Sequence, residues 1–342
     1  MIEQHKFKLI ALLAGLGLFV LLIQRTGPGT IAARIWQVGA GFLFLILISG
    51  FRHVLRTIAW YCSIEPQERQ VRFLDLFGIR LVGEAVTDLT FLGPLLGETV
   101  KGLTLSRRIS AEHSASSVVI ENLAYSFATG LIIASGLVLF VSGFALPSPV
   151  RTAGLVVMGV LFLFGFLIGL IVKKRYRVVG KVLDGLERLK IDWGSRLQAR
   201  RDEVDRFEEN VHDFCRRHKA ESLLILLAEI VAILTGVLEA YIILSLTVHR
   251  SSFLAAFIIE AVNRIVNLFF AFVPLRLGVD EGGTALVVKA VGYGAAEGVS
   301  LAIIRKIRTL FWVGAGLLLA AHYSVALRGA GNKDASPAVA SK

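Results

Sequence analysis

The chain has 342 residues, of which 55% are hydrophobic and only 18% charged, and its mean hydropathy is +0.69. Apolar residues come in blocks of about 20, the length that crosses a bilayer's hydrocarbon core. They do not alternate as in a membrane β-barrel, so the expected class is an all-α polytopic membrane protein. A net charge of +11 fits cytoplasmic loops beside anionic headgroups better than nucleic-acid binding.

The first apolar run, 8–24, is followed by Gln24 and Arg25 with no small-residue cleavage site, and is expected to stay as a first span rather than leave as a signal peptide. Further runs sit at 36–51, 118–142, 152–172, 221–246, 253–274 and 301–325. Segments 73–92 and 283–299 are apolar but interrupted by charge or glycine. The expectation is about seven or eight spans plus two broken or re-entrant helices, in one membrane domain over 1–328 and a disordered tail over 329–342. His5, Lys6 and Lys8, then Arg52, His53 and Arg56, then Lys173, Lys174, Arg175 and Arg177 are placed on one side. That side is the cytoplasm of a bacterial-type inner membrane, with the N-terminus inside. The polar stretch 173–219 repeats Val178, Val182, Leu183, Leu186 and Leu189 at helical spacing. It reads as a helical hairpin on the cytoplasmic headgroups or as a docking surface for a partner enzyme.

Two stretches echo one another. FLGPLLGETVKGLTL from Phe91 and FVPLRLGVDEGGTAL from Phe272 each place Phe, Pro, Leu, Gly and an acid where an apolar helix ends. Downstream, Glu121-Asn122 and Arg305-Lys306 occupy matching places in a following span. This is a pseudo-two-fold repeat of about 73–142 and 253–325. Counting spans puts both breaks on the cytoplasmic side, a parallel repeat, although one miscounted span inverts it. Lipid leaves free N–H and C=O groups unsatisfied, so broken backbone at membrane depth belongs against a cavity.

Charges within apolar runs mark the candidate site, because each costs roughly 2.5–3.5 kcal/mol at mid-bilayer unless paired or wet. Arg80, Glu84 and Asp88 share a helix face as structural or cavity ion pairs. The substrate-binding candidates are Glu98, Lys101, Glu121, Asn122, Glu260, Asn263, Arg264, Glu281, Arg305 and Arg308. Lys101, Arg305 and Arg308 are read as a basic cluster for a lipid phosphate or as membrane-surface anchors. Asp280 and Glu281 are read as helix caps or cross-cavity partners. Glu229 and Glu239 lie in a further span. Seven scattered histidines and the cysteines Cys62 and Cys215 form no metal-ligand spacing, and no phosphate-binding GxxxxGK[ST] loop is present. No metal, cofactor or catalytic residue is expected.

PLLGETVKGLTLSRR, VVIEN and FVPLRLGVDEGG resemble the lysylphosphatidylglycerol synthase transmembrane, or flippase-like, family, including its hopanoid-associated branch. Pro94, Gly97, Glu98 and Lys101 match one hallmark, with Lys where Arg is commoner. Pro274, Gly278, Val279 and Glu281 match a second, with Leu275 and Arg276 where glycines usually stand. Glu121 matches a third, and Asn122 replaces its arginine. The resemblance implies a non-enzymatic lipid translocase that moves a polar or anionic headgroup through a cavity between the repeats. The aminoacyltransferase domain of the bifunctional members is not expected. The competing expectation is a non-catalytic partner of a lipid-modifying enzyme, such as a glycosyltransferase or a hopanoid or isoprenoid enzyme. The expected partners are a membrane phospholipid or other polar lipid and a lipid-synthesis enzyme, with no nucleic acid and an oligomer left open.

Overall fold

Among the residues described in the computed structural model there are ten α-helices and no strand. Those residues are 38–144, 148–174, 201–247, 251–271, 273–276 and 278–333, with Gln24, Gly29 and Trp36. The expected span at 8–24 (Gln24 apart), residues 175–200 of the polar stretch and the tail beyond Lys333 lie outside them.

Helix α1 (Ala40–Ser63) runs through Arg52, His53 and Arg56 and stops before Pro66, which opens a short 3-10 turn at Pro66–Glu68. Helix α2 (Phe73–Leu89) turns back on α3 (Gly93–Leu105), with Pro94 in the first turn of α3. Helix α4 (Ala111–Gly143) starts at Ser110, whose hydroxyl accepts from the His113 N–H. It is followed by α5 (Ser148–Lys174), α6 (Arg201–Arg217) and α7 (Lys219–Thr247). Helix α8 (Phe253–Phe269) is capped by Ser252 and leads through a 3-10 turn, Pro274–Arg276, to α9 (Val279–Ala290) and the long α10 (Ala295–Lys333). Three of these, α1, α4 and α7, are long and apolar enough to cross a membrane. Helix α10 includes residues 329–333 of the expected tail.

The buried clusters fix the direction of each helix. At one end of the bundle Trp60 of α1 and Ile64 just past it pack with Leu76 and Ile79 of α2, Leu105 of α3 and Val118 of α4. Trp60 Nε1 donates to Ser117 Oγ at 3.2 Å and Ser63 Oγ to the Ser117 carbonyl at 2.8 Å, which ties α1 to α4 there. Val211 and Phe214 of α6 cover the same end, against Ala59, Ile120 and Ile225. At the opposite end Leu45 of α1 meets Phe140 of α4, Leu244 of α7, Ala255 of α8 and Val291 just past α9.

The two helical hairpins, α2–α3 and α8–α9, therefore have their open ends at opposite ends of the bundle. Their tips meet between them: Ala85 and Leu89 of α2 pack with Leu275 of the 3-10 turn and with Leu310 and Val313 of α10. Small residues let the first hairpin close. A Cβ at Gly97 would lie 1.9 Å from Thr87 Oγ1 and 2.5 Å from the Gly83 carbonyl oxygen, and one at Gly93 would lie 1.9 Å from the Thr87 carbonyl oxygen. Gly93 and Gly97, four apart, form the small face that this packing needs. In the second hairpin the turn is held by left-handed backbone at Leu275 and Arg276, both with φ 46°, which costs energy for residues with a Cβ.

Candidate functional site

The first ionic cluster is centred on Glu121, the eleventh residue of α4 and fully buried. Arg80 of α2 donates to Glu121 through both terminal nitrogens at 3.0 Å, Lys101 of α3 at 2.7 Å and Arg56 of α1 at 3.4 Å. Arg80 also bonds Glu84 one turn along α2 at 3.1 Å, and Lys101 bonds Glu98 at 2.7 Å. Lys101 Nζ stands 4.8 Å from the Trp60 ring, a cation–π contact. Glu229 of α7 lies 3.3 Å from Arg56 Nε, close enough to neutralise it though without hydrogen-bond geometry. His53 reaches Glu84 at 3.0 Å.

The second cluster uses the other hairpin with the signs exchanged. Glu260 is the eighth residue of α8, as Arg80 is of α2. Arg305 is the eleventh residue of α10, as Glu121 is of α4. Arg305 donates to Glu260 at 2.7 Å and to the Gly236 carbonyl at 2.8 Å. Arg264, one turn beyond Glu260, bonds it at 3.0 Å and donates to Tyr125 Oη at 3.3 Å. Glu239 of α7 is shared by Arg308, in direct contact, and Arg52 at 3.5 Å. Glu229 and Glu239 are ten residues apart on α7, so the clusters are stacked about 15 Å apart along the bundle.

A third group lies at the hairpin tips. Arg276 stands between Asp88 of α2 at 4.0 Å and Asp280 of α9 at 3.5 Å. The Glu281 carboxylate accepts from the Gly278 N–H at 2.8 Å, capping α9, and also contacts Lys306. Asn263 donates to Thr284 Oγ1 at 3.1 Å, which joins α8 to α9. The three groups together hold nine Arg or Lys and nine Asp or Glu side chains. Each cation has a carboxylate within 4.0 Å, which is what allows them to be buried.

A cavity of about 1290 Å³ opens between these groups. Its polar side is formed by Arg52, Arg56, Glu84, Asp88, Arg264 and Arg308, among others, and its apolar side by Phe127 and Leu131 of α4 with Met158, Leu161 and Phe162 of α5. Among the described residues no group of three or more His, Cys, Asp or Glu side chains is placed to hold a metal ion.

Most of the residues singled out in the sequence converge here, in roles that differ in detail. Glu98, Asn122, Glu260, Asn263, Arg264, Arg305 and Arg308 line the cavity. Asn122 donates its amide to the Val118 carbonyl of its own helix at 2.9 Å. Lys101 and Glu121 are buried behind the wall, so Lys101 does not share a basic cluster with Arg305 and Arg308. Arg80 and Glu84 pair along one helix, whereas Asp88 leaves that ladder and faces Arg276. Arg52, His53 and Arg56 were expected at a membrane surface, but they line the cavity. Their signal was the apolar sequence Leu55, Ile58, Ala59, Trp60, which continues the span past them. Tyr125 and Lys306 were missed because their partners, Arg264 and Glu281, are distant in sequence, and Arg276 because only its distant partner Asp88, not the nearby Asp280, ties it to the other hairpin.

The family model described as the lysylphosphatidylglycerol synthase TM region matches residues 8–316. The chain belongs to that family. As a lysylphosphatidylglycerol synthase TM-region protein with long apolar helices it is a multi-pass membrane protein. Comparison with curated proteins and with solved structures returned no match. Within this family member, the match spans both hairpins and every residue of the ionic clusters.

Proposed function

We propose that the protein is a lipid translocase of the inner membrane, with α2–α4 and α8–α10 as two copies of one unit inserted in opposite senses. The observation that carries this reading is the tip-to-tip meeting of two helical hairpins from opposite ends of the bundle, beside a large cavity lined by paired charges. Equal lengths of 17 residues for α2 and α8, and the equal positions of Arg80–Glu121 and Glu260–Arg305, support the duplication. Inverted repeats around a midplane site suit alternating access, because each half can rock against the other about a fixed site. On this reading the break at Pro274–Arg276 lies at mid-depth of an inverted repeat, the alternative to the parallel repeat with both breaks on the cytoplasmic side that counting spans suggests.

The headgroup occupies the polar side and the acyl chains run along the apolar wall of α4 and α5. The end covered by α6, rich in Arg69, Arg72, Arg107, Arg108, Arg216 and Arg217, faces the cytoplasm. Lys101 and Glu121 position the first hairpin, and Arg264, Arg305 and Arg308 meet the headgroup. A transbilayer assay in proteoliposomes tests this, with acyl-chain-labelled phospholipids and an impermeant reductant that bleaches only the outer leaflet. Bleaching beyond half the label, lost in Arg264→Ala/Arg308→Ala protein that still inserts, is expected. No acceleration for any phospholipid with the wild-type protein inserted removes the reading.

A further inference from the structure

The three charged groups are individually unbalanced and collectively neutral. Arg52, Arg264, Arg305 and Arg308 share only Glu239 and Glu260, an excess of two positive charges. Around Glu121, three cations face four carboxylates, an excess of one negative charge. At the hairpin tips, Arg276 and Lys306 face Asp88, Asp280 and Glu281, again one negative in excess. With His53 neutral, these excesses cancel.

Both signs also reach the cavity. The side chains of Arg264, Arg305 and Arg308 line it while 13%, 18% and 13% exposed. Glu84 and Glu98 line it while 27% and 29% exposed. Each of these groups has an oppositely charged partner on its protein side and is open to the cavity on the other. Guanidinium forks suit a phosphate, and carboxylates suit an ammonium. A headgroup with a net charge would add an uncompensated charge to a site whose own charges balance, whereas one with matched charges adds none.

We propose that the preferred occupant is a zwitterionic phospholipid headgroup, its phosphate toward Arg264, Arg305 and Arg308 and its ammonium toward Glu84 and Glu98. Net-anionic and net-cationic headgroups are disfavoured. This rests on the translocase reading only in taking the occupant to be a lipid, which the apolar wall of α4 and α5 supports.

The test measures binding separately from movement. Purified full-length protein in a neutral detergent is titrated with phosphatidylethanolamine, phosphatidylglycerol, lysyl-phosphatidylglycerol and soluble glycerophosphoethanolamine, following the shift in thermal unfolding. The expected result is at least about tenfold tighter binding of phosphatidylethanolamine than of either net-charged lipid. Glu98→Gln leaves one positive charge uncompensated while Lys101 keeps Glu121 at 2.7 Å, so the preference is expected to move about tenfold toward phosphatidylglycerol. Equal affinities, tighter wild-type binding of either charged lipid, or an unchanged preference in Glu98→Gln overturns the proposal. Glycerophosphoethanolamine binding as tightly as the intact lipid overturns the lipid as the source of the zwitterion. The expected binding pattern with no lipid movement in proteoliposomes sustains the zwitterion site and removes the translocase reading.

Discussion

Replacing Glu121 with alanine is the most informative single change. Its carboxylate is fully buried and receives Arg80 at 3.0 Å, Lys101 at 2.7 Å and Arg56 at 3.4 Å. Removal leaves three cations against Glu84, Glu98 and Glu229, of which Glu229 has no hydrogen-bonded oxygen. Breaking a buried charge pair by removing one partner costs about 3–5 kcal/mol, and alanine also leaves a void in the packing. Glu121→Ala is therefore expected to lose about 3–5 kcal/mol. Glu121→Gln, which keeps the volume and one acceptor oxygen, should lose less, about 1.5–3 kcal/mol. The assay is equilibrium unfolding in mixed micelles, followed by circular dichroism and tryptophan emission. A double-mutant cycle with Lys101→Met isolates the 2.7 Å pair, with an expected coupling of about 1–3 kcal/mol. Glu121→Ala within about 1 kcal/mol of wild type would refute the idea that this carboxylate holds α1, α2, α3 and α4 together.

Other consequences follow from the same geometry. Gly97→Ala drives a methyl group into Thr87 Oγ1 and the Gly83 carbonyl, and should cost about 1–3 kcal/mol in the same unfolding assay, with partial recovery in Gly97→Ala/Thr87→Ala. Asp88→Asn leaves Arg276 with Asp280 at 3.5 Å, so stability should change by no more than about 1 kcal/mol while lipid movement changes at least about tenfold. An unchanged rate would take the tip contact out of the transport path. Single cysteines at Ala111 and Ala295, in a Cys62→Ser/Cys215→Ser background, should react with an impermeant maleimide from opposite sides of the membrane. Labelling from the same side contradicts the inverted arrangement of α4 and α10.

The apolar runs were legible as helices because their length and continuity report burial without any knowledge of partners. Their ends and directions were less so. The run at 36–51 was closed at Arg52 because charges usually mark a membrane surface. Helix α1 instead continues to Ser63, because Arg52 and Arg56 meet Glu239, Glu84, Glu121 and Glu229 from three other helices. Hydropathy sums residues along one segment and is blind to a carboxylate 28 or more positions away. The run at 253–274 was counted as a full span for a related reason. Only the packing of Ala255 and Val291 at one end, and of Leu275 against Leu89 at the other, makes it half of a hairpin. The echo between Glu121-Asn122 and Arg305-Lys306 was readable in the sequence, but the opposite signs of the Arg80–Glu121 and Glu260–Arg305 pairs needed the partners Arg80 and Glu260 in place.

The most direct measurement is lipid movement with the two hairpin tips tied together. Cysteines at Leu89 and Leu275, which pack in one buried cluster, are joined by a short bifunctional maleimide in the Cys62→Ser/Cys215→Ser protein, and proteoliposomes are assayed before and after joining. Movement that falls to the protein-free rate on joining, and persists with a monofunctional reagent of equal size, is the expected result. Undiminished movement through the joined protein would contradict rocking of the two halves against one another.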